Sequence, residues 1–253
     1  MPSLPVLTAQ IARSFWSGLV DPDAPVSRKL RMLGGFGAAT LRMAAGMTVG
    51  RLGPRPEKPM VLWDFERCPH CRIVREALST LDIDVEVRPC PKGGTRFRPE
   101  LEGKGVPRLH DPNAGVTLVE STVIVAHLYE KYGAGRPPLL INRAPIRVAT
   151  GLAARVLTRG VGAVARPSVV PERPLELWSF EASPYASGVR ATLTELELPY
   201  LLHNVAKDSP KRPAFVAMTG KMQVPYLYDP NTGVRMFESV RIDRYLEETY
   251  GRA

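Results

Sequence analysis

The chain has 253 residues and a formal net charge of +9, and hydrophobic residues make up 44% of it. This composition excludes a disordered or fibrous protein, and three cysteines are too few for a disulfide framework. No apolar run reaches the ~18 residues that a membrane-spanning helix needs, and residues 1–16 do not have the pattern of a signal peptide. We therefore expect a globular, cytoplasmic protein with one large domain or two smaller ones.

The chain contains an internal repeat. Leu62–Leu78 (LWDFERCPHCRIVREAL) aligns with Leu177–Leu193 (LWSFEASPYASGVRATL) at an offset of 115 residues. Further matches follow at an offset of 118: Val106-Pro107 with Val224-Pro225, DPNAG at 111–115 with DPNTG at 229–233, and Glu120-Ser121 with Glu238-Ser239. The repeat predicts four parts: a basic helical segment (1–57), a first module (58–133), a basic helical linker (134–174) and a second module (175–253).

The elements of the first module follow from its hydrophobic spacing. The pattern predicts, in chain order, a strand at Met60–Phe65, a helix from Cys68-Pro69 to Leu81, a strand at Asp84–Arg88, a short helix at Phe97–Leu101, a hairpin of Val106–His110 and Val116–Val119, and a helix capped by Ser121 that ends at Tyr132. The second module repeats this order. Each module is therefore predicted to be an α/β unit, a mixed four-stranded sheet with helices on both faces.

Cys68-Pro69-His70-Cys71 is the most informative motif. Two cysteines three positions apart in the first turn of a helix lie close enough to form a disulfide. Cys68, at the helix start, faces unpaired backbone N–H groups and the positive end of the helix dipole, which favour the thiolate. Arg67 and His70 add positive or hydrogen-bonding groups nearby. The motif indicates thiol–disulfide chemistry, and the chain lacks the further Cys or His pairs of a zinc site, so no metal is predicted.

The motif, the Val-Pro pair about forty residues later and the Glu-Ser pair that opens the last helix together resemble the thioredoxin fold of glutaredoxins and of glutathione S-transferase N-terminal domains. The resemblance covers both modules. It implies that Pro107 and Pro225 are cis and that the backbone of Val106 contacts the cysteinyl part of glutathione. It also implies that Glu120 and Ser121 hold the γ-glutamyl end of glutathione. Arg67, Arg96 and Arg98 are candidates for its glycyl carboxylate. The Pro-His pair also resembles a periplasmic oxidase of this fold, but the chain lacks that protein's helical insertion.

The second module has Ser183-Pro184-Tyr185-Ala186 in place of the cysteine motif, so it cannot form this disulfide. It keeps Val224-Pro225 and Glu238-Ser239, which by the same resemblance would hold a tripeptide. Two interpretations of Ser183 stay open: a helix cap, or a hydrogen-bond donor to a bound glutathione thiolate, as in serine-type transferases. We expect this module to be structural or a non-redox glutathione site.

The remaining cysteine and histidines give weaker signals. Cys90 follows the second strand, outside the motif, and we interpret it as a buried thiol. A third exchange partner for Cys68 or Cys71 is the alternative. We assign no chemistry to the isolated His110, His127 and His203.

All the excess positive charge lies in residues 1–57 and 134–174, whereas the two modules are nearly neutral. Five arginines share one face of a helix predicted in the linker: Arg143, Arg147, Arg155, Arg159 and Arg166. Such helices either pack their Ala/Gly/Leu face on the modules or lie on an anionic membrane surface. Nucleic acid is the least favoured partner, because no motif combines aromatic and basic residues on a strand.

The leading hypothesis is a glutathione-linked thiol–disulfide oxidoreductase with Cys68 as the nucleophile, Cys71 as the resolving thiol and glutathione as the cosubstrate. One alternative is a glutathione transferase-like enzyme that uses Ser183. Conjugation is less favoured, because the all-helical domain that follows in transferases is replaced by another copy of the module. Two further alternatives are a non-enzymatic, glutathione-binding redox sensor at a membrane and an iron–sulfur cluster held by Cys68 and glutathione.

Overall fold

The computed structural model describes residues 46–135 and 162–252, in which the same order of elements occurs twice. The first module contains β1 (Met60–Asp64), α1 (Pro69–Thr80), β2 (Val85–Pro89), a 3₁₀ turn (Arg98–Leu101), β3 (Arg108–Asp111), β4 (Val116–Val119) and α2 (Ser121–Tyr132). The second module contains β5 (Leu175–Ser179), α3 (Pro184–Glu195), β6 (Tyr200–Asn204), α4 (Arg212–Thr219), β7 (Tyr226–Tyr228), β8 (Arg235–Phe237) and α5 (Ser239–Tyr250). The predicted order of elements is confirmed.

The eight strands form one continuous sheet in the order β4-β3-β1-β2-β6-β5-β7-β8. In each module the first strand runs parallel to the second and antiparallel to the third. The modules join where β2 and β6 pair in antiparallel fashion, with Val85 opposite Leu202 and Val87 opposite Tyr200. The sequence predicted two four-stranded units, and the structure fuses them edge to edge.

Both faces of the sheet are covered. Along β1 successive side chains point to opposite faces, so Met60 and Leu62 pack in the main core with the apolar side of α1. On the other face Trp63 packs with Cys90 and with Leu101 of the 3₁₀ turn. The expectation of helical elements on both faces of each sheet is confirmed.

The repeated Asp-Pro-Asn sequence forms the turn of each hairpin around a buried carboxylate. Asp111 accepts hydrogen bonds from the Tyr132 hydroxyl at 2.7 Å and from the Asn113 backbone N–H at 3.0 Å. Asp229 accepts the corresponding bonds from Tyr250 and Asn231 in the second module. The carboxylate therefore ties each hairpin to the end of the last helix of its module.

The residues that precede each module cross onto the other module. Thr48 forms a parallel bridge with Lys207, and Val164 forms one with Lys92. Residues 46–57 and 162–174 contain no helix, so the helical prediction is wrong for these stretches. Their backbone N–H and C=O groups are used in contacts with the modules, for example from Lys92 N–H to the Ala163 carbonyl at 2.7 Å.

Arg166 differs from its prediction in the same way. It lies in the non-helical stretch, and its guanidinium pairs with Glu195 at 3.1 Å and with Glu247, because both carboxylates belong to helices of the second module against which this stretch packs. The other four linker arginines lie outside the described residues, so their membrane-surface role stays a prediction. Within the two described ranges, no helix is both long and apolar enough to cross a membrane.

Candidate active site

Cys68 is the N-cap of α1. Its backbone is extended (φ −74°, ψ 117°), and Pro69 occupies the first turn of the helix, where a missing N–H costs nothing. The Cys68 Sγ accepts a hydrogen bond from the backbone N–H of Cys71 at 3.3 Å. The sulfur thus occupies the position that a serine or aspartate oxygen usually takes at a helix start.

The pKa values of the two motif cysteines are shifted in opposite directions. The pKa of Cys68 is lowered by a hydrogen bond from the Cys71 thiol, and further by the backbone N–H groups of Cys71 and His70, which together outweigh its burial. The pKa of Cys71 is raised well above its ordinary value, chiefly by burial. Cys68 is therefore the more acidic of the two thiols, and Cys71 the less acidic one.

The strand register brings the other predicted residues to the same end of the sheet. Trp63 pairs with Arg108, and Arg108 pairs with Val119. The residues just beyond these positions, Pro107 before β3 and Glu120 after β4, therefore lie beside the end of β1, from which the chain continues to Cys68. Residues that are more than fifty positions apart in the sequence therefore lie at one end of the sheet.

The Val106–Pro107 peptide bond is cis, as the resemblance implied. The Val106 carbonyl oxygen lies 4.0 Å from the Cys68 Sγ. The backbone just before the cis-proline thus lies beside the Cys68 sulfur.

Glu120 and Ser121 open α2, with a difference from the prediction. Glu120, not Ser121, is the N-cap, and its φ is +70°. Ser121 is the first helical residue and is 3% exposed. The positive φ accompanies the change of direction between β4 and α2, which begins next to Val119, opposite Arg108 in the sheet.

The candidate cations differ in their surroundings. The Arg96 guanidinium donates to the backbone carbonyls of Leu196 and Glu197 at 3.2 and 2.6 Å, so it joins the two modules. The Arg98 guanidinium donates to the Pro91 carbonyl at 2.7 Å. Arg67 precedes Cys68 directly, and its charge lies close enough to Glu66 to lower that group's pKa. All three arginines therefore interact with other groups of the protein, and a contact with a ligand carboxylate stays a prediction for each.

His70 acts on Cys68 through its backbone. The N–H of His70 is among the groups that lower the Cys68 pKa, whereas the residue as a whole is exposed. The sequence suggested the imidazole as a stabilising group, which stays a prediction, whereas the backbone N–H at the helix start is a contribution that every residue except proline could make.

Cys90 is separate from this site. It is completely buried beside Trp63 and Leu101, on the far face of the sheet from α1. Burial raises the pKa of Cys90 to about 12, so it is a protonated thiol and a poor nucleophile near neutral pH. This environment favours the interpretation of a core thiol over that of a third exchange partner.

The second module reproduces the frame of the site without the sulfurs. Ser183 is the N-cap of α3, with φ −74° and ψ 114°, and its Oγ accepts from the Ala186 N–H at 3.3 Å. The Val224–Pro225 bond is cis, and Glu238 has a φ of +73°. The Tyr185 hydroxyl, at the position of His70, is buried and has no hydrogen-bond partner in the described part of the chain.

A buried cluster of charged residues, which the sequence reasoning missed, lies directly behind the Cys68 loop. All of its members are at most 9% exposed: Asp64 at the end of β1, Glu66 from the loop after β1, Arg75 from α1, Glu181 from the loop after β5 and Arg190 from α3. The Arg190 guanidinium binds the Glu66 carboxylate with two hydrogen bonds of 2.9 and 3.2 Å. The Arg75 guanidinium binds Glu181 in the same manner, at 2.9 and 3.2 Å.

One signal in the sequence pointed to this cluster. Glu66 and Glu181 occupy equivalent positions of the repeat, and so do Arg75 and Arg190. The second module has lost both motif cysteines and still carries this Glu and this Arg. Charged residues usually lie on the surface, so a single copy gave no reason to expect burial.

Comparison with known proteins agrees with the fold. A family model described as the N-terminal domain of glutathione S-transferase matches residues 62–137 and 177–253. The glutathione S-transferase-like protein gedE of Aspergillus terreus is 34% identical over 80 residues, which cover 32% of this chain and 35% of gedE. The glutathione S-transferase-like protein tpcF of Aspergillus fumigatus is 34% identical over 70 residues, which cover 28% and 31% of the two chains. No solved structure gives a significant match.

The chain spans about a third of the length of these curated relatives. The two segments that the family model matches coincide with the two modules, and together they make up more than half of the 253 residues. Both have the thioredoxin-like arrangement of strands and helices with a cis-proline opposite the first helix. The chain therefore belongs to the family of glutathione S-transferase N-terminal domains and contains two copies of that domain.

Proposed function

We propose that the chain is a glutathione-linked thiol–disulfide oxidoreductase in which Cys68 is the nucleophile. The observation that carries this proposal is the position of the Cys68 sulfur, which accepts the Cys71 N–H at the start of α1 and lies 4.0 Å from the carbonyl before a cis-proline. Membership of the glutathione S-transferase N-terminal domain family supports glutathione as the thiol that binds there.

The reaction begins with attack by the Cys68 thiolate on a mixed disulfide between glutathione and a substrate thiol. A new S–S bond forms between Cys68 and glutathione, the original S–S bond breaks, and the substrate thiolate leaves and takes a proton from solvent. A second glutathione thiolate then attacks the Cys68–glutathione disulfide, which releases oxidised glutathione and restores the Cys68 thiolate. One glutathione is consumed for each mixed disulfide that is reduced.

Cys71 provides a second route. After loss of its proton, the Cys71 thiolate attacks the Cys68–glutathione disulfide, releases glutathione and leaves a Cys68–Cys71 disulfide that two further glutathione molecules reduce. The raised pKa of Cys71, which burial causes, makes this route slower than direct turnover by glutathione near neutral pH, because only the thiolate attacks.

Glutathione would lie across the end of the sheet that is next to Cys68. The backbone of Val106 would hold its cysteinyl part, Glu120 would take its ammonium, and the N–H groups and hydroxyl at Ser121 would take the γ-glutamyl carboxylate, because the N-terminus of a helix favours anions. Arg67 would contact the glycyl carboxylate. These roles follow the family resemblance, and the strand register of the neighbouring residues Trp63, Arg108 and Val119 supports them.

The test compares Cys68→Ser and Cys71→Ser in the reduction of a glutathione mixed disulfide by glutathione. We expect Cys68→Ser to abolish turnover, because its hydroxyl is not a nucleophile at neutral pH, and Cys71→Ser to retain the direct route. Cys90→Ser is the matched control and should retain the full rate. Unchanged turnover in Cys68→Ser would refute the proposal.

A second candidate is a transferase activity at Ser183, which the intact frame of the second module favours. The Ser183 Oγ accepts the Ala186 N–H, so its own hydrogen is left to donate to a glutathione thiolate. Conjugation of glutathione to an electrophile should then survive Cys68→Ser and fall in Ser183→Ala, with Ser187→Ala as a control. Conjugation that is lost in Cys68→Ser, or is absent altogether, would exclude this candidate.

A further inference from the structure

The second module holds the loop that carries Cys68. This loop makes its turn through a hydrogen bond from the Cys68 N–H to the Phe65 carbonyl at 3.0 Å, and Glu66 lies inside the turn. The Glu66 carboxylate is bound by Arg190 and also accepts from the Ser187 hydroxyl at 2.9 Å. Arg190 and Ser187 both belong to α3 of the second module. Two side chains of that module therefore bind Glu66, which lies two positions before Cys68.

The contact is reciprocal. The backbone carbonyl of Glu66 accepts from Arg75 at 3.2 Å, and the carbonyl of Glu181 accepts from Arg190 at 3.4 Å. Arg75 in turn binds the carboxylate of Glu181, two residues before Ser183. Each active-site loop is therefore held at its carbonyl by the arginine of its own module, and its carboxylate pairs with the arginines of both modules.

The burial and charge of this arrangement make it rigid. Both arginines are 1% exposed, and a guanidinium that binds a carboxylate with two parallel hydrogen bonds fixes the geometry as well as the charge. Burial would raise the pKa of Glu66, but Arg190 and Arg75 outweigh it and lower that pKa, so the carboxylate is ionised. Loss of Arg190 would leave the buried Glu66 carboxylate with only Arg75, 3.2 Å away, and the Ser187 hydroxyl as the partners described above.

We infer that the second module is a positioning element for the reaction at Cys68, and that Arg190 is the residue through which it acts. The second module thus has a role in the first module's chemistry, whether or not Ser183 binds a ligand. Arg190 touches no reacting atom, and its effect passes through Glu66 to the turn that aims the Cys68 sulfur at the helix amides. The inference rests on the proposed role of Cys68 as nucleophile.

The experiment measures the rate at which iodoacetamide alkylates Cys68, as a function of pH, by mass spectrometry of the full-length reduced protein. Arg190→Lys keeps the charge and removes the two-pronged geometry. We expect the midpoint of the Cys68 profile to move to higher pH, because a loosened turn withdraws the sulfur from the amides of Cys71 and His70. We also expect kcat for glutathione-dependent reduction to fall about tenfold, since misplacement of a reacting group reduces the rate strongly.

His203→Gln is the matched control. The two nitrogens of His203 lie 3.0 Å from Asp84 of the first module and 3.0 Å from Glu176 of the second, so this change also weakens the contact between modules, but far from the Cys68 loop. We expect it to leave the alkylation profile of Cys68 and kcat at their original values, even at a similar loss of thermal stability.

Three outcomes separate the possibilities. An unaltered Cys68 profile in folded Arg190→Lys would overturn the inference, and so would an equal shift in His203→Gln, since that would show a general effect of the interface. If Arg190→Lys does not fold, Ser187→Ala removes one hydrogen bond from Glu66 and should give a smaller shift in the same direction; no shift there would equally refute it. Alkylation does not require glutathione turnover, so failure of the proposed function would leave this readout intact.

Discussion

At the scale of single residues, the pKa values of two thiols one helical turn apart shift in opposite directions, because a different interaction dominates at each. Cys68 is at the open end of α1, where hydrogen bonds from Cys71 and the helix amides exceed the cost of its burial. Cys71 lies one turn deeper and is completely buried, so desolvation dominates and its pKa rises. Of the two thiols, Cys68 therefore loses its proton at the lower pH.

This difference predicts the order in which the thiols react. In the folded, reduced protein iodoacetamide should label Cys68 first, and the rate should decline only as the pH falls through the lowered Cys68 pKa. Cys90 should stay unlabelled, because burial raises its pKa to about 12 and covers its sulfur. Mass spectrometry of the peptides across a pH series measures both. The chain unfolded in urea, where all three thiols should react alike, is the control, and a Cys68 profile like that of a free cysteine would contradict the prediction.

At the scale of elements, the stretches that precede the modules pack through glycines where a side chain would not fit. Gly162 has a φ of +78°, and a Cβ there would lie 2.9 Å from the Ala191 Cβ on α3. Gly46, at the start of the first stretch, has a φ of +77° and a Cβ position 3.1 Å from the Glu181 Cβ. Both glycines thus allow the chain to approach a helix and an active-site loop closely, next to the buried charges.

The crowding at Gly162 predicts a difference between two alanine substitutions. Gly115, in the first hairpin turn, also has a positive φ of +66° but no atom within 4 Å of its Cβ position. Gly115→Ala should therefore cost only the backbone strain, about 1–2 kcal/mol of unfolding free energy. Gly162→Ala should cost that and a further ~1–3 kcal/mol for the overlap with Ala191. Urea denaturation measures both, and equal losses would show that the stretch does not pack against α3 as described.

At the scale of the whole molecule, the shared sheet and the buried Arg–Glu pairs join the modules into one cooperative unit. The backbone of β2 is bonded to β6, and each buried arginine is paired with a carboxylate of the other module. Separating the modules would expose strand edges and leave buried charges unpaired, which costs about 3–5 kcal/mol for each broken pair. Neither module is expected to open while the other remains folded.

This cooperativity predicts coincident unfolding of the modules. The chain has three tryptophans, Trp16, Trp63 and Trp178, of which Trp63 lies in the first module and Trp178 in the second. One variant keeps only Trp63 and the other keeps only Trp178, with phenylalanine at the remaining two positions. The fluorescence of each variant then follows one module. In a urea titration both fluorescence transitions should have the same midpoint, after correction for any stability that the substitutions themselves remove. Circular dichroism of each variant is the control for the global transition. Two separate midpoints within one variant would show that the modules unfold independently.

The parts of the fold that the sequence predicted are those with local causes. Cap residues, a first-turn proline and alternating apolar residues predict an element from its own stretch, and the repeat of that order at a constant offset predicted two modules. The pairing of β2 with β6 depends on backbone groups that every strand possesses, so no side-chain pattern specifies it. Likewise Glu66 and Arg190, 124 positions apart, resemble surface charges until the fold brings them together.

The site was predicted to the same extent. Cys68, Cys71 and Pro107 carry motifs with strict geometric requirements, and the structure places them together. The contribution of the His70 backbone N–H could not be separated from that of the imidazole, because a sequence gives the identity of the side chain but not the direction of the backbone N–H. Helix in residues 46–57 and 162–174 was predicted from composition, and the long-range contacts of those residues with the modules override it.

The antiparallel join of β2 and β6 has the geometry of a symmetric dimer, but a covalent tether holds its two halves. Because the two modules belong to one chain, their association is intramolecular and dilution does not dissociate them. The bonds that make it come from main-chain atoms and therefore tolerate drift of the side chains around them. The second module can therefore remain a permanent partner of the first although it carries Ser183 and Ala186 at the positions of Cys68 and Cys71.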